Sequence, residues 1–340
     1  MRAAVFYGVK EGMRIEEVPV PRVERPNDVL IKVHSCGMCG TDLATLEGRH
    51  TVNPPIILGH EVAGEVVKVG DRVHTVSPGD RVTVDPNIPC GVCTYCQSNR
   101  PSLCNDITSL GEHADAGYAE YLLAPQGAVF RFPESTPWDV IPLAEPLSDV
   151  INGMAKVRLL PGESAVVYGA GPMGLLWLSL LKRGGAGKLI AVEPRQRRAE
   201  AALKVGAQHV VDPTKVDPVR EVVRLTDGRG ADIAVEAIGK TETVENTIDS
   251  SAYGGRIVIM GRLSQDAVAR FRPDVILRSE KKILGTFAGF GCVPLAIECL
   301  SNGFIDPDVF VTHRVPLDEI YKAVELNRSG AAIKTLVFPP

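Results

Sequence analysis

The chain has 340 residues, of which 45% are hydrophobic and 23% charged, and its formal net charge is −4. This length accommodates two domains, the composition is typical of a globular protein, and the negative charge argues against nucleic acid or an anionic membrane as a partner. No apolar run reaches the roughly 18 residues of a membrane span and the N-terminus lacks a secretory signal, so we expect a cytoplasmic protein.

The first 148 residues are rich in proline, glycine and short β-branched runs. Three such runs, at residues 29–33, 62–69 and 81–84, are separated by turn sequences such as SPGD at 77–80. Many short strands with frequent turns between them predict a partly open β-barrel.

From about residue 162 the pattern changes to alternating strands and helices. Strands are predicted at residues 165–168, 189–192, 209–211, 232–235, 256–260 and 282–285, with helices at 173–183, 196–205, 218–225 and 243–251 and a short one before the last strand. Six strands with helical crossovers predict a doubly wound parallel sheet, the Rossmann type of α/β domain. The tail carries one amphipathic helix at 317–326 and a last strand at 335–338. Since this is too little to fold alone, we expect it to rejoin one of the two domains.

A glycine-rich turn, GAGPMG at residues 169–174, joins the first predicted strand of the second region to its first helix. In that context Gly169 allows a tight turn, Gly171 allows a pyrophosphate to approach the backbone, and Gly174 allows the helix to pack closely on the sheet. Pro172 and Met173 would start the helix, whose N-terminus faces the phosphates. The turn predicts a dinucleotide site.

Glu193 ends the second strand of this region, about 20 residues after the glycines. A carboxylate there accepts hydrogen bonds from the ribose hydroxyls and repels a 2′-phosphate, which favours NAD. Arg195, Arg197 and Arg198 follow, and arginine is what a 2′-phosphate would need. We interpret them as a solvated helix face beside the adenine, so NAD is preferred to NADP.

Four of the eight cysteines fall in one short stretch, at Cys90, Cys93, Cys96 and Cys104. This spacing lets a loop wrap around a tetrahedral zinc ion bound by four thiolates. Because four protein ligands leave no open position, this site is predicted to be structural. A zinc ribbon that binds nucleic acid would show the same spacing, but the chain's acidic balance and the lack of Lys/Arg clustering around the cysteines argue against it.

A second metal site is suggested by Cys39 and His60, which are about twenty residues apart and flanked by glycine and acidic residues. An open zinc site of this kind polarises a bound oxygen and lowers its pKa. On spacing alone, a hydrogen-bonded structural histidine remains an alternative, and Cys36 in the same loop has no evident role.

With these motifs in their order, the whole chain resembles the zinc-dependent medium-chain alcohol dehydrogenases, nearest to the branch of the sorbitol (polyol) and threonine dehydrogenases. The segments that carry the resemblance are CGMCGTD at 36–42, GHEVAGEVVKVG at 59–70, PGDRV at 78–82, the four-cysteine segment, AEPLS at 144–148 and GAGPMG at 169–174.

The resemblance implies roles for residues of the second metal site. Cys39 and His60 match ligands of a catalytic zinc, Glu61 matches the carboxylate that is the third ligand in the polyol branch, and Glu145 matches a glutamate at or next to that zinc. Which glutamate binds the resting metal is left open. Asp42 matches an acid that orients the ligating imidazole.

Two segments depart from the family's pattern, one in the proton relay and one in the loop beside the substrate. Thr41 matches the hydroxyl that starts a proton relay, but Ala44 stands where many relatives have the next histidine of that relay. His50 is a candidate replacement, with a solvated loop histidine as the alternative. Polar residues between Glu112 and Tyr118 are candidate substrate contacts in a loop that departs from the family at Ala116.

The resemblance also implies the domain organisation. Residues 1–148 and 288–340 would form a GroES-like β-barrel catalytic domain with a structural zinc lobe at about 86–108. Residues 149–287 would form the NAD-binding Rossmann domain. Relatives of this kind form dimers or tetramers, so a homo-oligomer is expected.

The expected function is zinc-dependent hydride transfer from a secondary alcohol, a polyol or sugar alcohol, to NAD. L-threonine 3-dehydrogenase and 2,3-butanediol-type dehydrogenase are the enzymatic alternatives, although no group that would hold the ammonium and carboxylate of threonine is identified. A dinucleotide-binding sensor without chemistry is the non-enzymatic alternative, which cofactor binding without turnover would reveal.

Overall fold

The computed structural model describes the whole chain, Met1–Pro340, which divides into two compact units. The first unit comprises Met1–Ser148 and Ala288–Pro340, and the second comprises Asp149–Phe287. None of the helices is long and apolar enough to cross a membrane.

The first segment of the chain is mainly β-structure. Its strands are β1 Arg2–Phe6, β2 Met13–Glu17, β3 Asp28–Gly37, β4 Ile56–Ile57, β5 Glu61–Val69, β6 Arg81–Val84, β7 Asn87–Ile88, β8 Thr108–Ser109, β9 Tyr121–Pro125 and β10 Val129–Arg131. Its helices are α1 Gly40–Leu46, α2 Thr94–Gln97 and α3 Ala144–Val157, with 3-10 turns at Pro101–Leu103, Gln126–Ala128 and Trp138–Leu143.

The second unit alternates strands and helices. Its elements are β11 Ser164–Tyr168, α4 Pro172–Arg183, β12 Lys188–Val192, α5 Gln196–Lys204, β13 His209–Val211, α6 Pro218–Leu225, β14 Ala231–Glu236, α7 Thr241–Asp249, β15 Ser251–Ile259, α8 Pro273–Ser279 and β16 Lys282–Gly285. The six strands form one parallel sheet in the order β13-β12-β11-β14-β15-β16. All five residues of β11 are buried, as expected for a central strand covered on both faces.

The tail adds more structure to the first unit than its sequence pattern indicates. Its elements are α9 Val293–Ser301, α10 Pro307–Phe310, β17 Val311–Pro316, a 3-10 turn at Leu317–Glu319, α11 Ile320–Ser329 and β18 Lys334–Phe338. The sequence predicted only one helix and the last strand. It missed α9, which is mostly apolar and has no clear amphipathic period, and β17, whose centre carries Thr312, His313 and Arg314.

The main sheet of the first unit joins the N-terminal segment to the tail. Its order is β10-β6-β5-β3-β18-β17, with β9 also paired with β3. Buried aliphatic residues of β3 and β5, among them Ile31, Val33, Val62 and Val66, lie in its core. The predicted fold class, a GroES-like barrel with a Rossmann sheet, is confirmed. For the candidate site, the important pairings are those of β3 with β5 and with β18.

Candidate active site

Cys39 lies in the turn between β3 and α1. Its backbone is extended (φ −102°), and the helix starts at the next residue. The Cys39 N–H donates a hydrogen bond to Asp42 Oδ2 at 2.8 Å, and the Met38 N–H donates to the Thr335 carbonyl of β18 at 2.9 Å. The two bonds fix the turn, and with it the thiol, against the sheet.

His60 immediately precedes β5 and is brought beside this turn by strand pairing. In the antiparallel register of β3 with β5, Gly37 lies opposite Glu61. Gly59 has φ +91°, a conformation that favours glycine, and it directs the chain into β5. The end of one strand and the start of its neighbour thus supply the thiol and the imidazole.

The two turns assemble a set of metal-ligating atoms. One ligand atom from each of Cys39, His60 and Glu61 lies within 4.8 Å of the other two. Sulfur, imidazole nitrogen and carboxylate oxygen are the donors that zinc takes in proteins, so the residues fit this metal. Glu145, in the first turn of α3, is 9% exposed and lies outside this triplet, but its charge acts on His60.

The electrostatics of the pocket favour a bound cation. Burial lowers the pKa of His60, but the charges of Cys39 and Asp42, with a smaller contribution from Glu145, raise it well above its ordinary value. A group that takes up a proton so readily lies in a strongly negative field. A divalent cation would satisfy the same field.

Lys334, at the start of β18, is a functional residue that the sequence reasoning missed. Its Nζ lies 2.5 Å from Glu61 Oε1 and 2.6 Å from Oε2, and both side chains are almost fully buried. It also donates to the Met38 carbonyl at 3.3 Å. Burial lowers the pKa of Lys334, but Glu61 and Cys39 raise it above its usual value, so the lysine is a cation. The only sequence signal was a lysine that opens a mostly apolar strand.

Glycine at position 37 makes room for this ion pair. A Cβ on Gly37 would lie 2.1 Å from Glu61 Oε2, closer than any real side chain approaches. The Glu61 carboxylate therefore occupies space that any other residue at this position would fill.

The predicted proton relay is only partly present. Thr41 Oγ1 lies 3.8 Å from Cys39 Sγ, next to the donor set. Ala44 is buried and offers no proton-carrying group. His50 Nε2 lies 2.8 Å from Glu112 Oε1, and its side chain is mostly buried, so it is not the solvated loop histidine of the alternative interpretation.

Tyr118 lies at the end of the segment in which the sequence left candidate substrate contacts open. It is fully buried, and its hydroxyl donates to Asp42 Oδ2 at 2.8 Å. This residue, at the end of the segment of candidate substrate contacts, thus has its hydroxyl directed to Asp42. Because an aromatic residue in a loop carries no signal of its partner, the sequence could not show that it reaches Asp42.

The four cysteines form a separate lobe whose two ends are joined by the pairing of β7 with β8. Their sulfur atoms all lie within 4.8 Å of one another, with Cys93 Sγ 3.5 Å from Cys96 Sγ and 4.0 Å from Cys104 Sγ. Sulfur ligands of a tetrahedral zinc, with Zn–S of about 2.3 Å, are about 3.8 Å apart. The Cys96 and Asn105 backbone N–H groups lower the pKa of Cys93 to about 6, which favours a thiolate.

The glycine turn of the second unit has the close backbone packing that its sequence predicts. Gly169, with φ +95°, follows β11, and Gly171 precedes α4, whose first residue is Pro172. Proline is well suited to this first helical position. Met173 follows in the first turn of α4, and a Cβ on Gly174 would lie 1.9 Å from the Gly169 carbonyl oxygen.

Glu193 is drawn into this turn. Its Oε2 accepts the Ala170 N–H and its Oε1 accepts the Arg195 N–H, each at 2.9 Å. The carboxylate is thus fixed at the carboxyl edge of the sheet, next to the glycines. Arg198 lies close by, with Nη1 at 3.6 Å from the position of a Cβ on Gly171, and burial lowers its pKa.

Two family models match this chain. The alcohol dehydrogenase GroES-like domain matches residues 25–134 and the zinc-binding dehydrogenase model matches residues 172–302. The chain therefore belongs to the zinc-binding alcohol dehydrogenases, which are enzymes that act on alcohol groups.

Curated relatives are similar over nearly the full length. Sorbitol dehydrogenase of Bacillus subtilis (strain 168) is 35% identical over 100% of this chain and 97% of its own. L-threonine 3-dehydrogenase of Thermococcus kodakarensis is 33% identical, and the match covers 96% of this chain and 95% of the relative. D-arabinitol dehydrogenase 1 of Uromyces fabae is 32% identical, and the match covers 99% of this chain and 97% of the relative.

Among solved structures, a zinc-binding dehydrogenase from Sinorhizobium meliloti 1021 bound to NADP superposes with a TM-score of 0.96. It is 33% identical, and the match covers 99% of both chains.

The glycines generate a prediction with an internal control. Gly174→Ala should lower the stability of the Asp149–Phe287 unit by at least about 1–3 kcal/mol, because its Cβ would collide with the backbone of Gly169. Gly171→Ala has only an ordinary 3.6 Å contact, so its stability should match wild type while nucleotide binding weakens. Thermal unfolding and NADH fluorescence titration measure the two effects. Equal stability of both variants would contradict the assigned packing.

The Glu61–Lys334 pair generates a second prediction. In the metal-free protein, Lys334→Met leaves a buried carboxylate without its counter-charge and should cost about 3–5 kcal/mol. With zinc added, the loss should be smaller, because the metal supplies positive charge beside Glu61. Urea unfolding of both proteins, with and without zinc, measures the difference.

Lys322→Met is the matched control, since Lys322 makes an exposed pair with Glu319 at 2.8 Å. Its effect should stay within about 1 kcal/mol in both states. If Lys334→Met loses the same unfolding free energy with and without zinc, the metal does not act on the charge of Glu61.

Proposed function

We propose that this protein is an NAD-dependent zinc dehydrogenase that oxidises a secondary alcohol of a polyol or sugar alcohol. The observation that carries the proposal is the convergence of Cys39, His60 and Glu61 on one small volume. The sorbitol and arabinitol dehydrogenases among the relatives support a polyol as the substrate.

The proposed ligands of the catalytic metal are Cys39 and His60, with Glu61 or Glu145 as the third. Zinc, when bound, polarises the substrate oxygen and lowers the pKa of its hydroxyl. Asp42 is proposed to act on His60 through its charge, because its Oδ1 lies 3.8 Å from His60 Nδ1, and it fixes the Cys39 backbone by its other oxygen. Both effects prepare the ligands before the metal binds.

Oxidation removes a proton from the substrate hydroxyl and a hydride from its carbon. Thr41 is proposed to accept the proton, because its hydroxyl lies beside the Cys39 sulfur. A nicotinamide cofactor, when bound, would take up the hydride, and residues 169–174 and Glu193 of the second unit are proposed to hold it. The structure offers no relay through Ala44, so His50 with Glu112 is the proposed exit for the proton.

NAD is proposed over NADP because Glu193 presents a fixed carboxylate next to the glycine turn. A carboxylate accepts ribose hydroxyls and repels a 2′-phosphate. Arg195 and Arg197 are exposed beside it, and the Sinorhizobium relative binds NADP, so both cofactors belong in the test. Arg198 is proposed to lie beside the adenosine half of the cofactor.

L-threonine is the second candidate substrate, because threonine dehydrogenases are about as similar to this chain as the arabinitol enzyme is. A threonine enzyme must hold an ammonium and a carboxylate. Around the donor set, Lys334 is already paired with Glu61, which leaves it unsuited to bind a substrate carboxylate. A polyol needs only neutral hydrogen-bonding partners.

The four-cysteine lobe is proposed to hold the structural zinc. Cys90, Cys93, Cys96 and Cys104 supply all four ligands, so no position is left for a substrate. In small peptides such a site contributes roughly 10–16 kcal/mol of apparent folding free energy.

The proposed assembly is a homo-oligomer, a dimer or tetramer, in the cytoplasm. The edge strand β16 has exposed residues, including Ile283, and Leu277 of the preceding helix is 77% exposed. An open apolar edge of this kind favours pairing with a second copy. A reducing compartment would preserve the zinc-bound thiolates.

The function is tested by NAD reduction with sorbitol, xylitol, other pentitols and hexitols, 2,3-butanediol, threonine and simple alcohols, and with NADP in parallel. A polyol should give the highest kcat/KM, and Cys39→Ser should lower it more than about 100-fold because a metal ligand is lost. Cys299→Ser, which alters a buried thiol of α9, is the control and should keep its activity.

Threonine as the preferred substrate would contradict the polyol assignment while leaving the chemistry intact. Tight NADH binding with no turnover of any alcohol would instead support a sensor.

The structural role of the lobe is tested by Cys104→Ser. This variant should lose one zinc per chain and expose the lobe, because one of four ligands is missing. Zinc analysis and limited chymotrypsin cleavage after Tyr95 measure the two changes. Unchanged zinc content and unchanged cleavage would rule out a zinc site in the lobe.

A further inference from the structure

We infer that Tyr118 is a positioning residue of the metal centre, joining the turn that carries Cys39 to the turn that carries His60. The inference rests on the proposed function, in that these two residues are taken as ligands. It adds a residue that neither touches the metal nor reaches the substrate.

The hydroxyl of Tyr118 acts on the first turn. It donates to Asp42 Oδ2 at 2.8 Å, and the same oxygen accepts the Cys39 N–H at 2.8 Å. With Oδ2 held by two donors, the carboxylate plane is fixed, and Oδ1 points to His60 Nδ1, 3.8 Å away. The orientation of Asp42 toward the imidazole therefore depends on the phenol.

The ring of Tyr118 acts on the second turn. A Cβ on Gly59 would lie 2.7 Å from the ring, so the ring rests directly on the residue before His60. The Tyr118 N–H donates to the Leu58 carbonyl at 2.9 Å, and the Gly117 N–H donates to the Gly59 carbonyl at 2.7 Å. The entry of the chain into β5 is thus packed and hydrogen-bonded against Tyr118.

A purely structural role would not require the hydroxyl. Phenylalanine would fill the same apolar space in a side chain that is 0% exposed. A buried phenol must find a partner, and here its close partner is the carboxylate between the two proposed ligands. Burial and the charge of Asp42 raise the pKa of Tyr118 well above its usual range, so the group donates.

The test is Tyr118→Phe in the full-length, zinc-loaded protein, with zinc affinity as the main readout. A fluorescent chelator removes the two zinc ions in two separate release steps. The release step that is missing in Cys39→Ser belongs to this site. Tyr118→Phe should weaken that step about 10-fold, the lower end of the effect of groups that orient metal ligands. It should leave the four-cysteine step unchanged and lower kcat rather than raise the KM for NAD.

Tyr168→Phe is the matched control. Tyr168 is also a buried tyrosine, and its hydroxyl donates to Ser250 Oγ at 2.9 Å in the second unit, outside the metal-ligating groups. Its removal should change thermal stability but neither zinc step. A double variant with Asp42→Asn should bind zinc no more weakly than Asp42→Asn alone, because Tyr118 acts through Asp42.

Unchanged zinc affinity in Tyr118→Phe would overturn the inference, and so would a variant that fails to fold while Tyr168→Phe folds, since the hydroxyl would then serve the fold alone. The affinity measurement does not depend on the substrate. If the wild-type protein reduces no cofactor but still binds zinc about 10-fold more tightly than Tyr118→Phe does, the proposed function is contradicted. The positioning role of Tyr118 is then still supported.

Discussion

Buried negative charge is the constraint on which the proposed metal centre depends. Cys39, Asp42 and Glu61 lie within one small volume, and a buried anion is very unfavourable unless it is paired or bound to a metal. Lys334 compensates one of these charges from a distance of 2.5 Å. The negative charge that Lys334 does not compensate raises the pKa of His60. A divalent cation would neutralise this charge.

The barrel sheet brings these charged groups together, because each of three adjacent strands places one or two of the side chains. The end of β3 supplies the thiol, the start of β5 supplies the imidazole and carboxylate, and β18 supplies the lysine. At Gly37 the absence of a side chain leaves space for the Glu61 carboxylate, and at Gly59 it leaves space for the Tyr118 ring. The site therefore depends on glycine at positions 37 and 59 as much as on the metal-ligating side chains.

The sequence was most informative where a function is carried by neighbouring residues. The four cysteines and the turn at 169–174 are contiguous motifs, so their spacing contains the geometry that the structure shows. Cys39 and His60 were found by spacing, and Asp42 and Glu61 by resemblance. Lys334, by contrast, is 273 residues from Glu61, and Tyr118 is 76 residues from Asp42. Contacts at such separations come from strand order and register, which no local pattern encodes.

The same charges bear on which glutamate would complete the proposed ligand set. Lys334 contacts both oxygens of Glu61, so this carboxylate can bind a metal only by sharing an oxygen with the lysine or turning away from it. Glu145 is the other candidate ligand, and its charge acts on both His60 and the lysine. A divalent zinc and Lys334 would supply three formal positive charges, against four negative charges from a Cys39 thiolate and the carboxylates of Asp42, Glu61 and Glu145. Without the lysine two negative charges would be left uncompensated, and with it one is left, whichever glutamate binds the metal.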